Sequence, residues 1–226
     1  MGLSADDMKR LAAQAALEEV FGLAVIGVGS GTTADAFIDL LAEARPPLLE
    51  GVVPASEASR ERLEAAGIRV LSLADVGGRL PVAVDGCDEA DEHLRLTKGA
   101  GGSCTREKVV ASASDRFVVI ADESKLVKRL GGKPLPVEVL PMAEAYVAER
   151  LVRLGGKPAR REGFVTDNGG VILDTAGLPL EYPETLERTL AAIPGVIGTG
   201  LFALRSADLG LFAAADGEVR RLERQR

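Results

Sequence analysis

The stretch "LAVIGVGSGTTADAFIDLLAEA", residues 23–44, joins an apolar segment to a helical one through three glycines. "LAVIGVG" is short, apolar and ends in glycine, which predicts a buried strand. "TTADAFIDLLAEA" carries apolar residues at helical spacing after two threonines, which predicts a helix over 32–44. A buried strand that runs directly into a helix is the repeating unit of an α/β fold.

The same alternation of short apolar runs and helical patterns extends to both sides of this stretch. Further elements are predicted as helices over 6–20, 56–67 and 104–114, and as strands over 49–56, 68–73, 80–86 and 116–122. Strands that alternate with helices in this way predict a mostly parallel sheet with helices on both faces.

From about residue 132 the order of elements changes. The predicted elements are strands over 134–141, 158–162, 169–175 and 195–204, and helices over 142–156 and 183–193. The order β-α-β-β-α-β predicts a small split βαβ domain. "ADLGLFAAADG" (207–217) predicts one more strand that returns to the first sheet, and "RRLERQR" (220–226) a solvated tail. We therefore expect two domains, residues 1–131 with 205–226, and residues 132–204.

Composition and charge narrow the classes of partner. The 226 residues are 46% hydrophobic and carry a formal net charge of -7, which argues against broad binding of nucleic acid or of an anionic membrane. No apolar run is long enough to span a bilayer, and the acidic, helical N-terminus is unlike a signal peptide. Cys87 and Cys104 form no CxxC motif, so we expect two reduced thiols and a cytoplasmic protein.

The glycine-rich turn "GVGSGTTA" (27–34) follows a predicted strand and opens a predicted helix. Free amides and the helix dipole at such a point form an anion site, and the hydroxyls of Ser30, Thr32 and Thr33 suit a terminal phosphate. The glycine spacing matches neither the dinucleotide fingerprint nor the Walker A motif. A turn that needs glycine for its geometry alone is the equally open alternative.

An acidic segment, "VDGCDEADEH" (84–93), follows another predicted strand. Because parallel sheets bind ligands at the carboxyl ends of their strands, Asp85 and Asp88 are the pair expected to face a ligand, whereas Asp91 and Glu92 are expected to be solvated. The spacing does not fit an EF-hand calcium loop. A plain acidic loop stays an alternative. His93 is the only histidine, and a single histidine excludes a multi-histidine zinc site. Its side chain is expected at the surface.

The segment "LTKGAGGSCTREK" (96–108) sets Lys98 and Glu107 at the two ends of a run with almost no side chains. Backbone amides can approach a ligand closely there, and Glu107 falls in the first turn of a predicted helix. Capping of that helix by Glu107 is the alternative. In "ADESKLVKRLG" (121–131), Lys125 could bind an anion or be solvated, and Lys9 is a weaker candidate.

Together these segments resemble ribose-5-phosphate isomerase of type A. The resemblance runs nearly end to end and is carried by seven segments in the same order: "GVGSGTTA" (27–34), "DGCDEAD" (85–91), "TKGAGGSCTREK" (97–108), "DESKLV" (122–127), "LGGKPLPVEV" (130–139), "TDNGGVILD" (166–174) and "IPGVIGTGLF" (193–202). Cys87 and Cys104 depart from the family, whose members often carry Ala or another small residue there.

The resemblance implies interconversion of D-ribose 5-phosphate and D-ribulose 5-phosphate in the non-oxidative pentose phosphate pathway. It implies a Rossmann-like domain with a smaller ferredoxin-like one, no metal or organic cofactor, and a homodimer or homotetramer. The residues implied to be catalytic are Glu107 as the base, Asp85, Asp88 and Lys98. The residues implied to bind substrate are Ser30, Gly31, Thr32, Thr33, Asp85, Gly86, Cys87, Asp88, Lys98, Gly99, Ala100, Gly101 and Lys125.

These residue types suit the implied chemistry. Moving a carbonyl between C1 and C2 needs a base for the C2 proton and donors that stabilise an enediolate. Three rivals stay open: the effector domain of a sugar-phosphate repressor, which would need a helix-turn-helix and a basic surface; an acyl-CoA transferase-like protein, which would form a covalent glutamyl adduct; and a nucleotide-dependent oxidoreductase, which would bind NAD(P).

Overall fold

The computed structural model describes residues 2–47 and 49–224. Within these residues six α-helices form: α1 (Ala5–Leu17), α2 (Thr32–Ala44), α3 (Glu57–Ala65), α4 (Cys104–Ala113), α5 (Glu144–Arg153) and α6 (Pro183–Ala191). The same residues form thirteen strands: β1 (Val25–Val28), β2 (Gly51–Pro54), β3 (Leu80–Asp85), β4 (Glu89–Ala90), β5 (Leu96–Thr97), β6 (Ser114–Asp122), β7 (Leu135–Val139), β8 (Lys157–Arg160), β9 (Val171–Ala176), β10 (Val196–Thr199), β11 (Leu201–Phe202), β12 (Leu209–Ala213) and β13 (Val219–Glu223). None of the described helices combines the length and apolar character that crossing a membrane requires.

The chain divides into two compact units. The first consists of Met1–Cys87, Arg106–Leu126 and Ala207–Arg226, and the second of Asp88–Thr105 and Val127–Ser206. Residues 88–105, which the sequence places in the larger domain, group with the second unit because β4 and β5 pair with each other and β5 pairs with β11. The domain boundaries inferred from the sequence stay a prediction.

The first unit is built on a six-stranded sheet in the order β13-β12-β6-β3-β1-β2. All neighbouring strands are parallel except the pair β12 and β13, which is antiparallel. From β1 the chain first adds β2 on one side and then β3 on the other, so the strand order reverses between β1 and β3. Open parallel sheets bind ligands at the carboxyl ends of their strands beside such a reversal.

Helices cover both faces of this sheet, as predicted. Alternate residues of β1, Ile26 and Val28, share a buried apolar cluster with side chains of α1 and α2. The opposite face approaches α4 so closely that a Cβ atom at Gly27 would lie 2.6 Å from Cγ1 of Val110. A residue larger than glycine at position 27 would therefore overfill the packing between β1 and α4.

The second unit contains the predicted β-α-β-β-α-β order as β7-α5-β8-β9-α6-β10. Its four strands form an antiparallel sheet in the order β10-β7-β9-β8, and β4, β5 and β11 form a separate three-stranded sheet. One face of β7, with Val137 and Val139, is buried with Val147 and Leu151 of α5 and with Leu186 and Leu190 of α6. The predicted fold class, a mostly parallel α/β domain with a smaller α+β one, is confirmed.

Two strand assignments made from the sequence are wrong. Residues 68–73 form no strand, because their only ladder contact is an isolated parallel bridge between Val70 and Val52. Part of the predicted solvated tail is β13, which pairs with β12 from Val219 to Glu223. Its arginines and glutamate face solvent at the sheet edge, so its sequence lacks the apolar alternation that marks a strand.

Candidate active site

In the first unit, the carboxyl ends of β1 and β3 meet at Asp85. Its carboxylate is 3% exposed, and its Oδ1 accepts hydrogen bonds from the N–H of Ser30 at 3.1 Å and of Gly86 at 2.7 Å. A Cβ atom at Gly29 would lie 1.7 Å from Cγ of Asp85, so only glycine permits this approach. Two backbone donors therefore hold a buried carboxylate at the point where the strand order reverses.

Glu107 lies in the first turn of α4 and is 4% exposed. The hydroxyl of Ser30 donates to its Oε1 at 2.7 Å. The start of α4 is also tied to α3, because Nη1 of Arg106 donates to Oε1 of Glu57 at 2.8 Å. Hydrogen bonds from Arg60 and, to a smaller extent, from Arg106 lower the pKa of Glu57, so the Glu57 carboxylate stays ionised. Ser30 thus links Asp85 through its amide with Glu107 through its hydroxyl.

The N-terminus of α2 presents its backbone amides to solvent. Gly31 is the N-cap, with a φ of 86° that favours glycine, and no side chain caps the helix. Among residues 2–47 and 49–224, none accepts a hydrogen bond from the N–H groups of Gly31, Thr32 or Thr33. Open amides at the positive end of a helix, beside two threonine hydroxyls, are suited to an anion such as phosphate.

The two candidate lysines of the first unit differ in their surroundings. Lys125 ends a single turn of 3-10 helix, Glu123–Lys125, directly after β6, and no carboxylate of a described residue forms an ion pair with it. Lys9 on α1 is paired with Asp6 at 2.9 Å. Lys125 therefore stays the better candidate for an anion ligand.

In the second unit, Asp88 directly precedes β4 and Lys98 directly follows β5. The N–H of Asp88 donates to the carbonyl of Thr97 at 2.8 Å, and its Oδ2 accepts from the N–H of Ala100 at 3.0 Å. Lys98 is 2% exposed, and its Nζ lies 5.8 Å from the centroid of the Phe202 ring, a cation–π distance. The segment that follows Lys98 is called the glycine loop, Gly99–Gly102.

The glycine loop is a tight turn that needs glycine at both ends. Gly99 and Gly102 have φ values of 99° and 86°, and the N–H of Gly102 donates to the carbonyl of Gly99 at 2.9 Å. A Cβ atom at Gly102 would lie 2.2 Å from the ring of Phe164. The loop also contacts Arg161, which donates to the carbonyl of Ala100 and for which the sequence predicted only a place in a strand.

The acidic segment, residues 84–93, is partly buried and partly exposed. Asp91 is not solvated: it is 3% exposed and accepts a hydrogen bond from Nε of Arg95 at 2.6 Å. Glu92 and His93 are exposed, as predicted, and Cys87 and Cys104 form no disulfide bond with each other. The described residues hold no group of three His, Cys, Asp or Glu side chains placed to bind a metal ion.

Comparison with known proteins identifies the family. Residues 51–217 match the model of the family described as ribose 5-phosphate isomerase A (phosphoriboisomerase A). The chain belongs to this family. A ribose-5-phosphate isomerase A of Bordetella bronchiseptica is 55% identical over 227 residues, with 99% of each chain covered. The same enzyme of Acidithiobacillus ferrooxidans is 49% identical over 219 residues, covering 97% of this chain and 99% of the relative.

Solved isomerase structures share the fold. Ribose 5 phosphate isomerase A from Neisseria gonorrhoeae superposes with a TM-score of 0.96 at 39% identity, with 100% of both chains covered. A D-ribose-5-phosphate isomerase in complex with phospho-erythronic acid has a TM-score of 0.92 at 36% identity, covering 98% of this chain and 100% of that one. The family, the fold class and the aldose–ketose isomerase activity expected from the sequence are confirmed, whereas the roles of single residues stay predictions.

Proposed function

We propose that this ribose-5-phosphate isomerase works through an enediolate, with Glu107 as the base that carries the proton between C2 and C1. The observation that carries the assignment is the buried Glu107 carboxylate, oriented by the Ser30 hydroxyl at 2.7 Å. A base must be held in a fixed geometry to act within hydrogen-bond reach of a carbon-bound proton. Of the predicted site carboxylates, Asp85, Asp88 and Glu107, only Glu107 lies in the first turn of a helix.

The reaction then proceeds by proton transfers at C2, C1 and the two oxygens O1 and O2. In the open-chain aldose, Glu107 takes the C2 proton, and the electron pair moves to form the C1–C2 double bond while O1 becomes an oxyanion. A proton then moves from O2 to O1, and as Glu107 returns its proton to C1 the electron pair on O2 forms the C2–O2 double bond of the ketose. Asp85 and Asp88 assist ring opening and move protons between O1 and O2, as carboxylates can at neutral pH.

The enediolate needs stabilisation by donors that are already in place. Lys98 is buried at 2% exposure, so its charge acts in a poorly hydrated environment. The amides of the glycine loop would add further donors to the enediolate oxygen. In the chain, Asp88 lies three residues after Asp85, and Lys98 lies nine residues before Glu107. This short connection supports a role for both groups in one reaction.

The N-terminus of α2 is proposed to hold the phosphate of the substrate, with Lys125 as an additional cation. Gly31, Thr32 and Thr33 provide the open amides, and the two threonines add hydroxyls. The isomerase solved with phospho-erythronic acid supports this division, since that ligand carries a phosphate and a carboxylate. A phosphorylated enediolate likewise carries negative charge at its two ends.

Substitution of Glu107 tests the proposal. We expect Glu107→Gln to lower kcat about 10²- to 10⁴-fold with a small change in KM, because the amide cannot accept the C2 proton but keeps the shape of the side chain. The measurement is a coupled assay with ribose 5-phosphate, with arabinose 5-phosphate as a non-productive analogue. Near-normal turnover by the variant would remove Glu107 from the role of base.

We further propose a cytoplasmic homodimer or homotetramer. Cys87 and Cys104 form no disulfide bond with each other, which fits a reducing compartment. With a chain mass of 23.6 kDa, light scattering of the purified protein should give twice or four times that mass. A mass of one chain at assay concentrations, or recovery of the protein outside the cytoplasmic fraction, would contradict this part of the proposal.

A further inference from the structure

We propose that Arg161 is a positioning residue that fixes the orientation of the peptide groups in the glycine loop, Gly99–Gly102, for the isomerase reaction. The inference rests on the proposed function, because it assigns a purpose to the loop amides in that reaction. All the contacts that carry it lie within the second unit.

The guanidinium group of Arg161 donates hydrogen bonds to two consecutive carbonyls of the loop. Nη1 of Arg161 donates to the carbonyl of Ala100 at 2.9 Å and to that of Gly99 at 3.3 Å, and Nη2 also donates to Gly99 at 3.3 Å. Backbone carbonyls in an exposed turn are ordinarily satisfied by water. Here a charged side chain takes them instead, and hydrogen bonds to a charged group are the stronger ones.

Fixing a carbonyl also fixes the next amide. In a planar trans peptide the C=O of one residue and the N–H of the following residue point in opposite directions, and the described chain contains no cis peptide. Arg161 therefore turns the N–H groups of Ala100 and Gly101 away from itself. The N–H of Ala100 reaches Oδ2 of Asp88 at 3.0 Å, as this geometry requires.

The second amide is available for a ligand. Gly101 is exposed, and none of the residues described in the structure accepts a hydrogen bond from its N–H. A Cβ atom at Gly101 would meet no described atom within 4 Å, so the side-chain position of this exposed residue is open. An amide held in advance toward open space can donate to a developing oxyanion without reorganisation.

Arg161 is itself held from two sides. Its Nε and Nη2 donate to the two carboxylate oxygens of Asp174 at 2.9 and 2.6 Å, and its guanidinium lies 5.4 Å from the Phe164 ring centroid. The hydrogen bonds that Arg161 donates to Asp174 raise the pKa of the guanidinium, so the group stays charged. Lysine cannot reproduce this arrangement, because its single ammonium lacks the planar fork that bonds a carboxylate and two carbonyls together.

The test compares Arg161→Lys with Arg95→Lys. Arg95 is the matched control: it is also partly buried in the second unit and paired with Asp91 at 2.6 Å, but its guanidinium donates to Asp91 and Glu184 and not to the glycine loop. We expect Arg161→Lys to lower kcat about 10- to 100-fold, because a small misplacement of donors is costly, with little change in KM. Arg95→Lys should leave kcat near the wild-type value.

Two inhibitors separate positioning from general loss of structure. For Arg161→Lys, the inhibition constant of 4-phosphoerythronate should rise by about the factor by which kcat falls, whereas that of inorganic phosphate should not change. Asp174→Asn, which weakens the hold on Arg161, should shift the same quantities in the same direction by less. If Arg161→Lys does not fold, Asp174→Asn decides by the same ratio.

Two results would overturn the inference: unchanged kcat in Arg161→Lys, or a parallel loss of kcat and of phosphate inhibition. Failure of the proposed function would appear elsewhere, as near-normal turnover by Glu107→Gln in the same assay. A dead Glu107→Gln with a fully active Arg161→Lys would contradict the role of Arg161 and leave that of Glu107 in place.

Discussion

The two glycine-rich segments of this isomerase look alike in sequence but are built differently. In the β1–α2 turn, Gly29–Thr33, Gly29 is required because Asp85 lies where a side chain would be, and Ser30 bonds to both Asp85 and Glu107. In the glycine loop, glycine is required at both ends by positive φ values, and the carbonyls are held by Arg161. The β1–α2 turn orients the side chains of Asp85 and Glu107, whereas in the glycine loop Arg161 orients the peptide groups of the loop.

This difference teaches what each segment can contribute. At the proposed phosphate site, the amides of Gly31, Thr32 and Thr33 would gain their affinity for an anion from the N-terminus of α2 itself. The glycine loop precedes α4 in the chain, and its amides lie outside the helix. The direction of these amides therefore depends on what the loop carbonyls contact. Substitutions in the two segments should therefore fail in different ways.

The largest difference is expected between Gly29→Ala and Gly101→Ala. A methyl group at position 29 would lie 1.7 Å from Cγ of Asp85 and must displace that carboxylate. We expect it to lower kcat about 100-fold or more and the free energy of unfolding by about 1–3 kcal/mol. Steady-state kinetics and urea unfolding are the two measurements.

Gly101→Ala serves as the control for stability. A methyl group there meets nothing within 4 Å, and the residue has no positive φ. Its free energy of unfolding should stay the same or rise by about 0.4–1 kcal/mol, because alanine restricts the unfolded chain. Equal destabilisation by the two substitutions would contradict the distinction between a close approach at Gly29 and an open amide at Gly101.

A smaller effect should separate two hydroxyls of the β1–α2 turn. Ser30→Ala removes the donor to Glu107 and should lower kcat about 10-fold, since a hydrogen bond to a charged group is worth about 1.5–3 kcal/mol. Thr32→Val removes a hydroxyl beside the proposed phosphate site and should raise KM a few-fold, with kcat little changed. Kinetics with ribose 5-phosphate measure both.

The reverse pattern would contradict this assignment. If Ser30→Ala mainly raised KM, its hydroxyl would serve the phosphate and not the base. If Thr32→Val mainly lowered kcat, the N-terminus of α2 would take part in proton transfer. Inhibition by inorganic phosphate gives an independent reading, because only a substitution at the phosphate site should weaken it.

Much of the fold could be predicted from local patterns. Helix α2 has the predicted bounds, 32–44, because its start coincides with a glycine turn and its apolar residues keep helical spacing. Strand β13 was missed because its charged residues pair only with β12 at the sheet edge. The strands β4 and β5 were missed because two residues cannot display a periodicity, and because β11, the second partner of β5, is remote in sequence.

The candidate site was predicted less evenly. Asp85 and Glu107 could be proposed because each follows a local signal, a strand end or a helix start, and both proved to be buried. Arg161 could not, because its contacts with Ala100 and Asp174 span 61 and 13 residues. Asp91 was expected in solvent because an acidic loop gives no sign that Arg95 will cover one carboxylate.

The central claim is that Glu107 carries the proton between C2 and C1. Its most direct test is the release of deuterium to solvent from [2-²H]ribose 5-phosphate, followed by mass spectrometry with wild-type enzyme and Glu107→Gln at equal concentrations. The account predicts that the wild-type enzyme exchanges C2 deuterium with solvent during turnover and that the variant loses this exchange about as much as it loses kcat. Exchange by Glu107→Gln at the wild-type rate would contradict the claim.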